Sequence, residues 1–484
     1  MKDTIPHNLP KTPVGISGFD EITNGGIPTG RPTLVCGSPG CGKTLFAIQF
    51  LVEGITRFNE PGVLISFEET KKDLSLNVLS MGIDLDGLIA IDKLRIDHVY
   101  VNRSEIEETG EYDLEALFIR LNYAVESIGA KRIVLDTIES LFGGISNEAI
   151  LRSELRRLFQ WIRDKGITAI ITGERGEKTL TRQGLEEYVS DCVILLDFRV
   201  INQVATRRLR IVKYRGSTHG TNEYPFLIDE GGISVLPITS LKLDHKVSSD
   251  VISTGLPALD ALFSSGGIFR GSSILLTGSA GTAKTILASY FALSSCQRNE
   301  RTLYFSFEES SDQLRRNMES VGLDFREHLK SGVLLINSSR PSQQGLELHL
   351  LTLHKLVEQH KPKTVIIDPI SSLTNVGSLA EVSDMMIRLI DLLKMNTINA
   401  FFTSLTNHGG YSSDPTVTAV SSLADIWMNV ENEIHEKARL RGLRIIKVRG
   451  MGHRTELQNL IITNEGVKLV DGKQVLNYNS YGTD

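Results

Sequence analysis

The sequence predicts an α/β protein that consists of two successive copies of one domain, each built on a mainly parallel sheet. Two observations predict this fold class. A set of motifs in the first half of the 484-residue chain recurs in the same order in the second half. Within each half, short and almost wholly apolar strands alternate with amphipathic helices, as expected where strands are buried on both faces of a parallel sheet.

The internal repeat comprises four pairs of motifs. The pairs are Gly15–Thr44 with Ile252–Thr285, Ser66–Thr70 with Ser306–Ser310, the strands that end at Asp136 and Asp368, and Lys213–His219 with Lys447–His453. Their spacing is far too long for a solenoid and indicates two whole domains. We expect these domains at residues 12–240 and 252–472, with a polar linker at 241–251 and a short tail at 473–484.

Two segments have the apolar spacing of helices that pack one face on a sheet. The residues are Leu151, Leu155, Leu158 and Ile162 in the first half, and Met386, Leu389, Ile390 and Leu393 in the second.

The first glycine-rich loop, GSPGCGKT, matches the phosphate-loop pattern G-x-x-x-x-G-K-[ST] between an apolar strand and a helix-forming segment. In this context backbone N–H groups and a helix N-terminus receive phosphate oxygens. The lysine neutralises the β- and γ-phosphates, and the threonine holds Mg²⁺. The candidate nucleotide-binding residues are Gly37, Ser38, Gly40, Cys41, Gly42, Lys43 and Thr44, with Thr44 also the candidate metal ligand.

The second loop, GSAGTAKT, has alanine where the pattern has its second glycine. Because Ala283 opens the helix and alanine tolerates helical dihedrals, we expect the loop to form, with the methyl group crowding either the sheet or the phosphates. The candidate nucleotide-binding residues here are Gly278, Gly281, Thr282, Ala283, Lys284 and Thr285, with Thr285 the candidate metal ligand.

Carboxylates follow other strands of each half. Asp136 and Asp368 end apolar strands, which is the Walker B placement beside Mg²⁺. Acidic pairs follow the strand after each phosphate loop, where one carboxylate can polarise the attacking water or hydroxyl and its neighbour can orient it. These candidate catalytic residues are Glu68, Glu69, Glu308 and Glu309.

The bulk composition restricts the function classes. A net charge of −6 argues against nucleic acid as the main ligand, because phosphate contacts favour basic proteins. The four cysteines lack metal-site or disulfide spacing. The N-terminal segment does not resemble a signal peptide, and no apolar run approaches the length of a membrane span, so we expect a cytoplasmic protein.

The doubled set of phosphate loop, acidic pair, strand-ending aspartate and K-x-R-G-x-x-H resembles the KaiC family over about residues 12–472. The resemblance implies two RecA-like P-loop NTPase domains and a double-ring homohexamer that binds ATP and Mg²⁺ at subunit interfaces. It also implies slow ATP hydrolysis in the first ring, and reversible autophosphorylation of a hydroxyl pair in the second, in circadian or related signalling.

The resemblance assigns further residues. In the family, the K-x-R segment reaches the nucleotide of the next subunit, which implies this role for Lys213, Arg215, His219, Lys447, Arg449 and His453. The phosphorylated pair corresponds to Ser421-Ser422, which keeps both hydroxyls. The first half has Tyr188-Val189-Ser190-Asp191 in the corresponding place, without a tandem hydroxyl pair, so an autokinase role is expected of the second half alone.

Partner proteins follow from the same resemblance. A KaiB-type protein is expected to dock on the first ring near the acidic segment Glu105–Glu111. A KaiA-type activator, which grips a long C-terminal tail in the family's clock member, is not expected, since only a short segment follows Gly472.

Two other functions use the same loops. A RecA-type DNA-dependent ATPase of recombination or repair would share the sheet, but should add a basic DNA-facing loop and often a zinc module. A non-catalytic signalling scaffold would use ATP only to hold a ring together, and the intact acidic pairs count against it.

Overall fold

The computed structural model describes residues 9–99, 115–142, 148–176, 190–201, 204–237, 247–406, 417, 420–435, 438–464 and 466–471. The chain divides into two compact units, Met1–Ser240 and Leu241–Asp484.

The first unit contains a nine-stranded sheet among its described residues, in the order β5-β4-β6-β7-β3-β8-β9-β10-β11. The strands from β5 to β8 are parallel, and β9, β10 and β11 add antiparallel pairs at one side. The strands are β1 Lys11–Thr12, β2 Ile27–Pro28, β3 Pro32–Gly37, β4 Gly62–Ser66, β5 Leu94–His98, β6 Arg132–Asp136, β7 Thr168–Glu174, β8 Cys192–Ile201, β9 Val204–Tyr214, β10 Glu223–Asp229 and β11 Gly232–Val235. The helices are Phe19–Ile22, Lys43–Phe58, Lys71–Leu79, Leu85–Ala90, Glu115–Ile128, Ile138–Phe142 and Glu148–Lys165.

The second unit repeats this topology, with the sheet order β16-β15-β17-β18-β14-β19-β20-β21-β22. Its strands are β12 Val251–Ile252, β13 Ile268–Phe269, β14 Ser273–Gly278, β15 Thr302–Ser306, β16 Leu334–Ser338, β17 Thr364–Asp368, β18 Asn399–Leu405, β19 Ile426–His435, β20 Ala438–Val448, β21 Gln458–Thr463 and β22 Gly466–Asp471. Its α-helices are Pro257–Asp260, Lys284–Gln297, Ser311–Glu319, Arg326–Lys330, Leu346–His360 and Leu379–Met395, with 3₁₀ turns at Pro341–Gln343 and Ile370–Asn375.

Both sheets are covered by helices, and the predicted alternation of strands and helices is confirmed. The eight apolar residues predicted to form helix faces are all buried, in the helices Glu148–Lys165 and Leu379–Met395. No disulfide links the four cysteines, all of which lie in the described part of the chain. Each unit is therefore a RecA-like α/β domain with apolar layers on both faces of a mostly parallel sheet.

Strand direction positions the site residues. Within each unit, the parallel strands end at the same edge of the sheet, so the loops that follow them meet there. Ser66 at the end of β4 pairs with Asp136 at the end of β6, and Ser306 pairs with Asp368 in the second unit. The acidic pairs, the strand-ending aspartates and the phosphate loops are therefore brought to one edge.

Candidate nucleotide-binding sites

The first phosphate loop curls around the ammonium of its own lysine. Nζ of Lys43, at the first turn of the helix Lys43–Phe58, donates to the carbonyl oxygens of Gly37 at 2.9 Å and Ser38 at 3.2 Å. Gly40 and Gly42 adopt positive φ values of 74° and 103°, which only glycine adopts without strain. The loop thus presents a cation and backbone N–H groups at a helix N-terminus, as phosphate binding requires.

The second loop has the same geometry. Nζ of Lys284 donates to the carbonyl oxygens of Gly278 and Ser279, both at 2.8 Å. Burial lowers the pKa of Lys284, and the negative charges of Asp368 and Glu308 oppose that shift. Thr282 stands where the first loop has the buried Cys41, and its hydroxyl donates to the Ser279 carbonyl at 2.8 Å.

The expectation that Ala283 adopts helical dihedrals is wrong. Its φ of 76° and ψ of 23° are left-handed, and it precedes the helix Lys284–Gln297 as its N-cap. A residue with a Cβ pays about 1–2 kcal/mol for this conformation. The prediction failed because Ala283 is the N-cap, which precedes the helix and need not have helical dihedrals. Gly42 is the N-cap at the same place in the first loop and is also left-handed. The loop still forms, with the Ala283 methyl partly buried in the core.

The two strand-ending aspartates are buried beside their phosphate loops. Asp136 accepts a hydrogen bond from the hydroxyl of Thr172, and Thr44, the candidate metal ligand, lies near it. Burial raises the pKa of Asp136, and its interactions with Thr172 and Thr44 oppose the rise. Asp368 is held in the same way by Thr403, which corresponds to Thr172.

The first acidic pair divides into an exposed and a half-buried carboxylate. Glu68 is exposed, and its Oε1 accepts from the hydroxyls of Thr137, at 3.0 Å, and Ser140. Glu69 is half-buried, and its Oε2 accepts from Nδ2 of Asn77 at 3.0 Å. Burial raises the pKa of Glu69, with the charge of Asp136 adding to the effect. Glu68 therefore faces the solvent that supplies an attacking water, while Glu69 is fixed to the helix behind it.

The second acidic pair repeats this division. Glu308 is exposed and accepts from the Ser372 hydroxyl at 2.9 Å, whereas Glu309 accepts from Nδ2 of Asn317 at 3.2 Å. Burial raises the pKa of Glu309, and the nearby charges of Asp368 and Glu308 add to the rise.

A cavity of about 480 Å³ joins these elements in the second unit. It is lined by the phosphate loop together with Glu308, Glu309, Asp368, Arg441 and Ile462. This volume is within the range of small-molecule sites, and its cations and carboxylates suit a metal–nucleotide complex.

Sequence reasoning missed Arg441. Nε of Arg441, on β20, donates to the carbonyl oxygen of Gly281 at 3.1 Å and so supports the second phosphate loop. Arg207 on β9 is the matching residue of the first unit, and its charge acts on Cys41 of the first loop. The signal was present, because Arg207 and Arg441 open the repeated pattern R-x-L-R-I-x-K that ends at Lys213 and Lys447.

The sequence that forms these two sites matches a known protein family. A family model described as "ATPase: KaiC" matches residues 12–240 and 252–474, which is most of the chain. The chain belongs to the KaiC family. Its two units are KaiC-family ATPase domains, and this assignment supports nucleotide binding and ATP hydrolysis. This assignment does not favour the RecA-type DNA-dependent ATPase.

Curated relatives of the KaiC family match nearly the whole chain. The "Circadian clock protein KaiC2" of a Synechocystis strain is 55% identical over 96% of this chain and 82% of its own length. The "Circadian clock oscillator protein KaiC" of Thermostichus vulcanus is 37% identical over 95% and 89%. The protein of the same name from a Prochlorococcus marinus strain is 35% identical over 95% and 93%.

The K-x-R residues lie away from the phosphate loop of their own unit. Lys447 is opposite Trp427 at the start of β19, and its Nζ donates to the carbonyl oxygens of Ser421 at 2.7 Å and Ala424 at 2.8 Å. Arg449 donates to the carbonyl oxygen of Ser422. These two cations therefore hold the backbone of the serine pair within the chain.

The matching residues of the first unit occupy the same place. Lys213 is opposite Val193 at the start of β8, and Nη1 of Arg215 lies 3.8 Å from Oδ1 of Asp191. His219 stacks on Tyr214, with its Nδ1 2.9 Å from the carbonyl oxygen of Gly220. The backbone of His453 forms an isolated antiparallel β-bridge with that of Phe263.

Some sequence predictions concern residues outside the described ranges. These are the acidic segment Glu105–Glu111, the residues Tyr188 and Val189, most of the linker and the tail. Among the residues that the structure describes, no helix combines the length and apolar character needed to cross a bilayer.

The left-handed conformation of Gly42 and Ala283, before the helices that follow the phosphate loops, can be tested by substitution. A Cβ at Gly42 would lie 2.9 Å from Cδ1 of Ile228, in addition to the backbone strain. We therefore expect Gly42→Ala, in a Lys284→Ala background, to weaken binding of a fluorescent ATP analogue about tenfold, since about 1.4 kcal/mol is a factor of ten. The reciprocal Ala283→Gly change, in a Lys43→Ala background, should leave binding equal or tighter. Unchanged affinity in Gly42→Ala would contradict a left-handed residue in the nucleotide-bound loop.

Proposed function

We propose that this KaiC-family ATPase assembles as a homohexamer with Mg²⁺·ATP at its subunit interfaces, and that its second domain phosphorylates Ser421 and Ser422 of a neighbouring subunit. The observation that carries the proposal is the placement of each K-x-R segment and of the serine pair at the edge of the sheet opposite the phosphate loop. A function there requires the nucleotide of another chain.

The register of the second sheet gives the separation. Ile426 at the start of β19 pairs with Ile274, four residues before Gly278, where the phosphate loop begins. At about 3.3 Å per residue, roughly 13 Å of strand lies between them. Ser421 and Ser422 precede Ile426, and the contacts of Lys447 and Arg449 hold them there. Direct transfer of a phosphoryl group needs reacting atoms within about 3–3.5 Å, so the acceptor must serve the site of a different subunit.

The first sheet supports the same assembly. Val193, opposite Lys213, pairs with Leu34, three residues before Gly37. Lys213 and Arg215 are thus also separated from their own phosphate loop. Cations that approach phosphates from a second chain complete the charge neutralisation of phosphoryl transfer, which couples assembly to catalysis.

The residues around each phosphate loop suit Mg²⁺. Thr44 with Asp136, and Thr285 with Asp368, supply the hydroxyl and carboxylate oxygens that this hard cation prefers. The described residues contain no cluster of three or more metal-binding side chains, which agrees with an ion that takes its other ligands from phosphates and water. When bound, Mg²⁺ would neutralise charge on the β- and γ-phosphate oxygens.

In the first domain, Glu68 is the proposed base for hydrolysis. It takes a proton from the attacking water while the new bond from the water oxygen to phosphorus forms and the bond to the ADP oxygen breaks. Glu69 keeps the turn in place through Asn77. Lys43 balances the charge that builds on the leaving oxygens.

In the second domain, the proposed acceptor is a serine hydroxyl instead of water. The Ser421 or Ser422 oxygen forms a bond to the γ-phosphorus, the bond to ADP breaks, and Glu308 of the nucleotide-binding subunit takes the hydroxyl proton. Lys447 and Arg449 fix the acceptor backbone and are the proposed charge stabilisers for the reacting phosphate of the neighbour.

The signalling role is proposed from the relatives. They are named circadian clock proteins, and we propose a role for this chain in circadian or related signalling in the cytoplasm. A KaiB-type partner on the first ring, near Glu105–Glu111, is part of this proposal, and a KaiA-type activator is not.

The division of labour can be tested with acidic-pair variants. We expect Glu68→Gln plus Glu69→Gln to abolish most phosphate release, by about 10²–10⁴-fold, while ATP binding is kept, because a general base is lost without a binding contact. Glu68→Gln alone should account for most of the loss, and the matched pair Glu308→Gln plus Glu309→Gln should spare most hydrolysis. Near-wild-type release in the first double variant would show that the first domain is not the main ATPase. If the wild-type protein releases no phosphate, the alternative of a non-catalytic signalling scaffold is favoured.

Transfer between chains can be tested by mixing two variants. One carries Ser421→Ala and Ser422→Ala but keeps Glu308, and the other carries Glu308→Gln, a mass tag and both serines. We expect phosphate on the tagged peptide that spans Thr418 to Trp427 only after the two are mixed with Mg²⁺·ATP, because donor and acceptor then come from different chains. Peptide mass spectrometry reads this directly.

Two controls accompany the mixing experiment. Lys447→Met in the tagged chain should reduce phosphate incorporation, because it frees the acceptor backbone. Equal phosphorylation of the unmixed tagged chain would contradict Glu308 as the base. An unmodified wild-type peptide in hexamers that consume ATP would contradict the autokinase role.

A further inference from the structure

The two units differ directly beneath the strand-ending aspartate. In the second unit, the hydroxyl of Tyr304 on β15 donates to Oδ2 of Asp368 at 2.9 Å. Tyr304 is fully buried. The matching residue of the first unit is Leu64, at the same position of β4 and equally buried. The second unit therefore has a hydroxyl group beneath its candidate metal site, where the first unit has an apolar side chain.

The neighbours of the tyrosine have changed with it. Ser289, near the Tyr304 hydroxyl, stands where the first unit has the buried Ile48. The threonine that donates to Oδ1 is common to both units, as Thr172 and Thr403. Tyr304 thus adds a contact to the other carboxylate oxygen without displacing the shared one.

This second contact restrains the carboxylate. The terminal torsion of an aspartate is broad, so one hydrogen bond leaves the plane of the carboxylate free to rotate. With Thr403 on Oδ1 and Tyr304 on Oδ2, both oxygens of Asp368 have a donor from the protein interior. The plane of the carboxylate is thereby fixed, and Asp368 lines the same cavity as Lys284 and Thr285.

We propose that Tyr304 is a positioning residue for the metal of the second nucleotide site: its hydroxyl orients Asp368 and thereby sets the affinity of this site for the Mg²⁺ that accompanies ATP. The inference rests on the proposed Mg²⁺·ATP binding at Lys284 and Thr285. Groups that hydrogen-bond to a metal's carboxylate partners usually change metal affinity about 10–100-fold when they are removed. The two sites of one chain would then differ in metal affinity although their loops are alike.

Metal binding can be measured without turnover. Mn²⁺, which is paramagnetic, replaces Mg²⁺ in a titration followed by electron paramagnetic resonance, on the full chain saturated with a non-hydrolysable ATP analogue. We expect two Mn²⁺ ions per wild-type chain, and in Tyr304→Phe we expect one of them to bind about tenfold more weakly while the other is unchanged. Analogue affinity in the presence of EDTA should not change, because the hydrogen bond of the Tyr304 hydroxyl is made to Asp368 and not to the phosphate loop.

A second variant separates the hydroxyl from the ring. Tyr304→Leu introduces the residue of the first unit, so it removes the hydroxyl and also creates a cavity. If the hydroxyl positions Asp368, both variants shift the same Mn²⁺ site to a similar extent. A shift in Tyr304→Leu alone, or weaker analogue binding in EDTA in both variants, would assign Tyr304 a purely structural role and overturn the inference.

The remaining outcomes separate this inference from the proposal on which it rests. Two Mn²⁺ ions with unchanged affinities in Tyr304→Phe would overturn the positioning role and leave the second site intact. A single Mn²⁺ ion in the wild-type chain, unaffected by either variant and lost in Thr44→Ala, would contradict metal binding in the second domain altogether.

Discussion

In each unit, the strand that leads into the phosphate loop is parallel to a neighbouring strand. In the first unit β3 is parallel to β8, which follows Ser190-Asp191, and in the second β14 is parallel to β19, which follows the Ser421 segment. Parallel strands place the beginning of one beside the beginning of the other, so the loop after the first strand and the segment before the second lie at opposite edges. No side-chain movement can join them, because the sheet lies between. The remaining features depend on this separation: the candidate nucleotide-binding groups meet at one edge, and the groups that we propose to act on another chain's nucleotide meet at the other.

Duplication provides a comparison within one chain, because the same sheet carries different residues at matching positions. Gly42 and Ala283 share a left-handed conformation, at a cost for the alanine alone. Cys41 and Thr282 occupy one loop position, and Leu64 and Tyr304 lie beneath matching aspartates. These differences cluster around the phosphate loop and the metal-side carboxylate. They accompany the proposed difference in acceptor, which is water in the first domain and a serine hydroxyl in the second.

The sequence predicted the fold class, the phosphate loops, the acidic pairs and the two aspartates because each is a local pattern whose place in a parallel sheet is determined by the strand before it. It failed where a residue's surroundings come from distant segments. Ala283 was wrongly expected to be helical. Its N-cap geometry depends on the path of the whole loop between the strand and the helix. The contact of Tyr304 with Asp368 depends on the register of β15 with β17. The donation from Lys447 to the serine backbone depends on the pairing of β19 with β20, and Arg441 was overlooked although its pattern is repeated.

The central claim is that a single chain cannot complete either nucleotide site. Multi-angle light scattering measures it most directly, on the full chain with and without saturating Mg²⁺·ATP. Because nucleotide that needs groups from two chains favours the assembled state, we predict that ATP shifts the molar mass to six times that of one chain. Lys43→Ala plus Lys284→Ala should prevent the shift. A molar mass of one chain at saturating Mg²⁺·ATP, under conditions where ATP is hydrolysed, would contradict the account.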